Sequence, residues 1–209
     1  MILIGMFDSP FVRRVAISMQ LLGIDFEHRN WSVGRDQAAI RDYNPLGRVP
    51  TLVLEDSEAL VESSAILDWL DEQAGAQALL PRSGPLRREG LRLISIATGA
   101  ADKTVAQIYE RNFRPEEKWH QPWLDRCREQ MDNALALLDA SCAAVAPKQW
   151  LLGPSLQQPD ITLACVYTFI AETMALEARR YPALAAHTAC CEALPVFRAT
   201  HVPFFTPKP

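Results

Sequence analysis

Residues 44–52, NPLGRVPTL, set two prolines and a glycine directly before a short apolar run that reads as a strand. Proline cannot donate to a β-ladder, so Pro50 must occupy a strand's first residue, an edge or a bulge. A cis Val49-Pro50 bond would turn the chain sharply and leave the N–H and C=O of Val49 pointing away from the fold, free to pair with an extended ligand. About 5% of X-Pro bonds in folded proteins are cis, so taken alone the segment is a trans-proline entering a strand. The motifs SPFVRR (residues 9–14) before it and VESSAI (residues 61–66) after it shift that balance, and a cis bond is expected. Each flanking motif sets a serine, Ser9 or Ser63, at the cap position of an expected helix. Other chemistries find no residues to carry them. The five cysteines (Cys127, Cys142, Cys165, Cys190, Cys191) are odd in number and form no CxxC pair, which indicates neither a disulfide framework nor a zinc site. His28, His120, His187 and His201 are dispersed, with no metal or triad spacing.

These motifs sit on a regular succession of elements. Residues 2–5 read as a buried strand; Ser9 as N-cap and Pro10 at the first helical position start a helix to about Leu22, ended by Gly23. Val12, Val15, Ala16, Met19 and Leu22 share its apolar face, widened by Ile17 and Leu21. Residues 26–31 are a second strand, giving a right-handed parallel βαβ unit. A short helix (35–42) leads to the 44–52 segment. Strands at 51–54 and 59–61 flank a hairpin turn, and Ser63 caps a helix to about Gln73. Residues 79–86, LLPRSGPL, are the best domain boundary. Beyond it helices are expected at 86–112, 115–144 (with a break near Pro122), 159–179 and 182–194, the third apolar nearly all round and so central to a bundle. The proline-rich tail, 195–209, is expected to be irregular. The fold class is α+β: residues 1–78 with a thioredoxin-like βαβ-α-ββα order, a linker at 79–86, and an all-helical domain at 87–209.

Composition excludes several classes. Hydrophobic residues make up 49% and charged residues 22% of 209, so disorder is not expected. Net charge is −4 and basic runs stop at pairs such as Arg13-Arg14, which gives nucleic-acid binding little support. The N-terminus has no signal-peptide pattern and no apolar run reaches the roughly 18 residues of a membrane span, so a cytoplasmic protein without membrane contact is expected.

With SPFVRR, NPLGRVPTL and VESSAI at these positions, the chain resembles the cytosolic glutathione transferases of the serine type, and is similar to small bacterial members along essentially all of its length. The resemblance implies glutathione as co-substrate on the thioredoxin-like half, no prosthetic group, no metal, an electrophile between the halves, and a homodimer. It assigns Ser9 as the catalytic hydroxyl, donating to a glutathione thiolate while its oxygen accepts from the helix backbone. A free thiol of pKa near 8.5 is mostly protonated at pH 7, so lowering that value is the task. Glutathione contacts fall to Phe11, Arg48, Val49, Pro50, Glu62 and Ser63: Val49 pairing with the cysteinyl backbone, Ser63 and its N–H with the γ-glutamyl carboxylate, Glu62 with the γ-glutamyl amino group, Arg48 with the glycyl carboxylate. Ser63 as an ordinary cap, and Glu62 and Arg48 as solvated surface charges, are the alternatives. Asp102, Tyr109 and Arg111 are second-substrate candidates. One departure is Gln157, at the cap of the central helix, which caps less well than Ser or Thr. The implied activity is thiol attack on a small hydrophobic electrophile. The alternatives are a glutathione-dependent peroxidase or disulfide reductase, necessarily using the sulfur of glutathione because no cysteine precedes Cys127, and a non-catalytic binding protein of the same fold.

Overall fold

The computed structural model describes residues 1–146 and 149–204. Strand β1 (Ile2–Ile4) pairs in parallel with β2 (Glu27–Arg29) and antiparallel with β3 (Thr51–Val53), which pairs antiparallel with β4 (Ala59–Val61), in the order β2-β1-β3-β4. Helices α1 (Pro10–Leu21), α2 (Gln37–Arg41) and α3 (Ser63–Ala74) complete this half, the expected βαβ-α-ββα order. A helical half follows: α4 (Gly84–Phe113), α5 (Gln121–Ala143), α6 (Gln158–Met174), α7 (Pro182–Glu192) and α8 (Pro195–Ala199). The linker is tighter than 79–86, because α4 already begins at Gly84 and Leu79 is tied down, its N–H donating to Asp71 and its C=O accepting from Gln158. Among the described residues no helix is long and apolar enough to cross a membrane.

Helix α1 is buried on two sides, which its apolar stripe alone does not suggest. Val12, Val15, Ala16 and Met19 pack with Leu3 and Leu52 of the sheet and with Ile66, Leu67 and Leu70 of α3. Ile17 does not widen that face; it packs on the other side with Ile161, Ala164 and Cys165 of α6, Cys191 of α7 and Phe197 of α8. Leu21 stays 41% exposed. Helix α6 is buried nearly all round, as expected of a central helix. It ends earlier than expected, because Ala175 adopts the left-handed conformation that closes a helix. At its start Asp160 accepts the N–H groups of Gln157 (2.9 Å) and Leu151 (3.0 Å). Gln157 leans towards the Asp160 N–H in capping-box fashion without closing a full hydrogen bond, leaving its Oε1 unpartnered.

The tail corrects an expectation. Residues 195–199 are helical, with Pro195 at the helix start and Phe197 fully buried against α1 and α6. A proline at the first helical position and an aromatic anchor outweigh the proline content. Residues 205–209 of the expected irregular tail lie outside the described residues. The break near Pro122 is present: a short 3-10 turn (Glu116–Lys118) precedes α5, and Pro122 falls in its first turn.

Candidate active site

The sheet register gathers the three motifs. Ile4 lies opposite Thr51, and Thr51 opposite Val61, so the end of β1, the start of β3 and the end of β4 meet at one edge. The loop to Ser9, the Val49-Pro50 bond and the Glu62-Ser63 helix start all leave from there. Gly5 makes the approach possible: at φ 133° it stands so near Val49 that an added Cβ would lie 2.8 Å from the Val49 Cβ. Asn44, 1% exposed, fixes the loop from below. Its Nδ2 donates to the Arg48 C=O (2.9 Å) and its Oδ1 accepts the Leu46 N–H (3.0 Å). The Val49-Pro50 bond is cis, as expected, and among the described residues neither the N–H nor the C=O of Val49 makes a hydrogen bond.

Ser9 occupies the N-cap of α1 in extended conformation, but its hydroxyl makes no capping bond; only its C=O joins the helix, accepting from Arg13 at 2.9 Å. The expectation that its oxygen accepts from the helix backbone is therefore corrected. Pro10 at the first helical position fixes the entry angle. The first turn of α1 holds no acidic residue to offset the positive end of the helix. Phe11, half-buried, packs against the helical core and so stands at the junction of the two halves.

Ser63 is corrected as well. It is the first residue of α3 and not its cap; that position belongs to Glu62, at φ 68°, without a side-chain capping bond. The hydroxyl of Ser63 is held by a residue absent from the expected site, Arg14. Its Nε and Nη2 donate to Ser63 Oγ at 3.1 and 2.7 Å, and its Nη1 to Thr162 Oγ1 of α6 at 3.3 Å. Thr162 accepts from Gln158 Nε2, and Gln158 Oε1 accepts from Ser18 of α1, so a buried polar chain joins the halves. Burial pulls the Arg14 pKa down to about 10, against the through-space pull of Cys165, Glu62 and Asp102. Arg48 pairs with Glu62 at 3.4 Å on the exposed rim.

The second-substrate candidates separate. Asp102 lies in the field of this site: desolvation pushes its pKa up, Arg48 opposes this and Glu62 adds to it. Tyr109, seven residues on, lies about two helical turns along the same face of α4. It is 45% exposed and meets the ring of Phe113 edge-on at 5.1 Å. Arg111, nine residues from Asp102, falls about half a turn out of phase, in line with the buried Thr104. The three therefore do not face one cleft. A hollow of about 660 Å³ between α4 and α5, lined by Leu93, Leu137, Trp150 and Glu89, contains none of these residues. Among the described residues no group of three or more His, Cys, Asp or Glu could hold a metal ion.

Comparison with known proteins agrees with this arrangement. Residues 3–78 match the glutathione S-transferase N-terminal domain family, and residues 121–190 the C-terminal domain family. The uncharacterized GST-like protein YibF of Escherichia coli K12 is 34% identical over 165 residues, 78% of this chain and 76% of that protein. Maleylacetoacetate isomerase of Pseudomonas aeruginosa is 27% identical over 205 residues, 93% of this chain and 92% of the isomerase. A glutathione transferase family member from Pseudomonas fluorescens Pf-5, solved with bound glutathione, superposes with a TM-score of 0.83 at 30% identity, covering 97% of this chain and 99% of that one. Two matched domains in the right order, on a sheet edge that gathers Ser9, Val49 and Ser63, make this chain a member of the glutathione S-transferase family.

Proposed function

We propose that this protein is a glutathione-dependent enzyme that ionises the glutathione thiol at Ser9 and directs it at a small, largely apolar electrophile. The observation that carries this reading is the Ser9 hydroxyl: it stands at the positive end of α1 and is not used to cap it. An O–H there is free to donate to sulfur. Val49 supplies an unpaired N–H and C=O for the cysteinyl backbone, an added-strand contact. Ser63 serves the γ-glutamyl carboxylate, Glu62 the amino group and Arg48 the glycyl carboxylate. Phe11 completes the glutathione contacts, and Tyr109 offers apolar surface to the electrophile, with Asp102 at its edge.

A second reading is supported by the relative from Pseudomonas aeruginosa, which covers 93% of this chain. A thiolate that adds reversibly to an activated double bond lets it rotate and then leaves, so the same arrangement serves isomerisation. Peroxidase or reductase turnover would pass through the sulfur of glutathione itself. We read the protein as cytoplasmic and homodimeric, with a first domain over 1–78 and a helical domain that opens with α4 at Gly84. Apolar side chains exposed on both halves, Leu46 (61%) and Leu91 (43%) among them, support a dimer. Sedimentation at micromolar concentration giving a species of the 23.4 kDa chain mass would argue against it.

The test is calorimetric titration with glutathione, followed by turnover assays with apolar electrophiles, hydroperoxides and unsaturated diacids. Binding with turnover of one class is expected. Binding without turnover of any class would favour a binding module, and no binding would remove the reading.

A further inference from the structure

Of the four histidines, His28 meets the loop that carries Ser9. It lies opposite Leu3 in the parallel pair of β1 and β2, so both side chains face the side of the sheet on which α1 packs. Half-buried, it reaches along the strand to residue 5, where its Nε2 donates to the Gly5 C=O at 2.7 Å. A carbonyl oxygen only accepts, so Nε2 carries a proton, which the neutral Nε2–H tautomer and the imidazolium both supply. The neighbouring Arg29 C=O accepts the Gly5 N–H at 3.0 Å. The end of β2 thus grips both polar groups of the Gly5 backbone. Two residues on, the ring of Phe7 lies parallel to the imidazole with 3.8 Å between centroids.

These contacts hold a short lever. Residues 6–9 form a turn in which the Ser9 N–H donates to the Met6 C=O at 3.2 Å, and Phe7 is inside that turn. Fixing Gly5 and Phe7 therefore sets where the backbone of Ser9 stands. Helix α1 does not do this for the hydroxyl. Ser9 Oγ makes no capping bond, and the arginines of α1 are engaged elsewhere, Arg13 with both carboxylate oxygens of Glu192 (2.7 and 2.6 Å) and Arg14 with Ser63 and Thr162. Gly5 itself is wedged, since an added Cβ would lie 2.6 Å from Val12 Cγ2 and 2.8 Å from the Val49 Cβ. A hydrogen bond weakens steeply once its angle falls below about 120°, so a turn free to shift would lose much of what the Ser9 hydroxyl gives to sulfur.

We propose that His28 is a positioning residue for Ser9: by donating to the Gly5 C=O it holds the 5–9 loop so that the Ser9 hydroxyl points at the glutathione sulfur. This rests on the reading of Ser9 as the group that ionises the thiol. His28 touches no substrate; it acts through the backbone of Gly5 and the turn that follows.

The test is ultraviolet titration of the thiolate of bound glutathione at saturating tripeptide, in the full-length protein. His28→Phe keeps a ring against Phe7 and removes the donor; His28→Gln places an amide N–H near the position of Nε2 and removes the ring. His28→Phe is expected to raise the pKa of the bound thiol by about half a unit or more, a fall of about threefold or more in its ionisation constant. His28→Gln should stay close to wild type. In a Ser9→Ala background His28→Phe should add nothing, because its effect passes through Ser9. A residue that only supports the sheet would lower the urea midpoint and leave the thiol unmoved, so an unchanged pKa in His28→Phe overturns the proposal. Equal shifts in His28→Phe and His28→Gln, or a shift that persists in full without Ser9, overturn it as well. If His28→Phe does not fold, His28→Asn, whose amide stops short of the Gly5 C=O, takes its place with the same expected rise, and an unmoved thiol there overturns the proposal equally. If Ser9→Ala alone leaves the thiol unmoved, the reading of Ser9 falls and takes the proposal with it; a thiol that responds to Ser9 but not to His28 overturns the proposal alone.

Discussion

Replacing Ser9 by Ala removes one hydroxyl whose only proposed use is a hydrogen bond to bound thiolate. A hydrogen bond to a charged group contributes about 1.5–3 kcal/mol, and one pKa unit corresponds to about 1.4 kcal/mol. The variant should therefore raise the pKa of bound glutathione by about one to two units. The sign follows from which form is stabilised: the bond favours the thiolate, so its loss favours the thiol. At pH 7 the thiolate fraction then falls from roughly a quarter to three-quarters to about 3%, about 8- to 25-fold, and kcat/KM for a thiolate-limited electrophile falls with it. Stability should hardly change. A true Ser N-cap is worth about 0.5–2 kcal/mol, but the Ser9 hydroxyl makes no capping bond. Binding of the tripeptide should also change little, because Val49, Glu62 and Ser63 hold the rest of it. Ultraviolet absorbance of the thiolate, followed against pH at saturating glutathione, reads the first quantity, and a urea melt reads the second. An unmoved thiolate titration with a stability loss above about 1 kcal/mol would refute the reasoning and leave Ser9 as a cap only.

Glu192→Ala leaves Arg13 buried with the Phe197 C=O as its remaining acceptor, and strips Thr168 of its 2.7 Å acceptor. A loss of about 3–5 kcal/mol is expected; a urea midpoint equivalent to less than about 1 kcal/mol would show that the pair is not part of the packing between halves. The cysteines should divide by burial. Desolvation pushes the pKa of Cys142 and Cys165 up to about 12 and those of Cys127 and Cys191 upward, so their thiolate fraction is lowest at neutral pH, whereas Cys190 is exposed. A thiol reagent should find one fast cysteine in the native protein and four more only after denaturation, and two or more fast thiols would contradict this.

What the sequence discloses and what it hides follow from how local each signal is. Some strand and helix starts rest on neighbours, as in Ser9-Pro10 and the proline entering β3, and these two appear where expected. The cis bond was legible only from three motifs taken together. Arg14 was hidden because an arginine in a helix reads as solvated unless its partners are known, and these lie 49 and 148 residues away. The same holds for Ile17, whose face is decided by α6 and not by the periodicity of α1. Asn44 stood in view within NPLGRVPTL; a buried side-chain amide bridging a tight loop is a role its residue type permits, although only the fold places it. The helix at 195–199 had a readable signal in Pro195 followed by an apolar pair, outweighed by the proline content around it.

The central claim is that glutathione binds here with its thiol ionised. Calorimetry of wild-type protein at pH 7, repeated in buffers of different ionisation enthalpy, measures protons released on binding. With the free thiol near pKa 8.5 and the bound thiol one to two units lower, roughly a quarter to three-quarters of a proton should leave per bound tripeptide. S-methylglutathione, which has no proton to lose at sulfur, should release none from that atom. Release that is absent, or identical for the two ligands, would contradict the account.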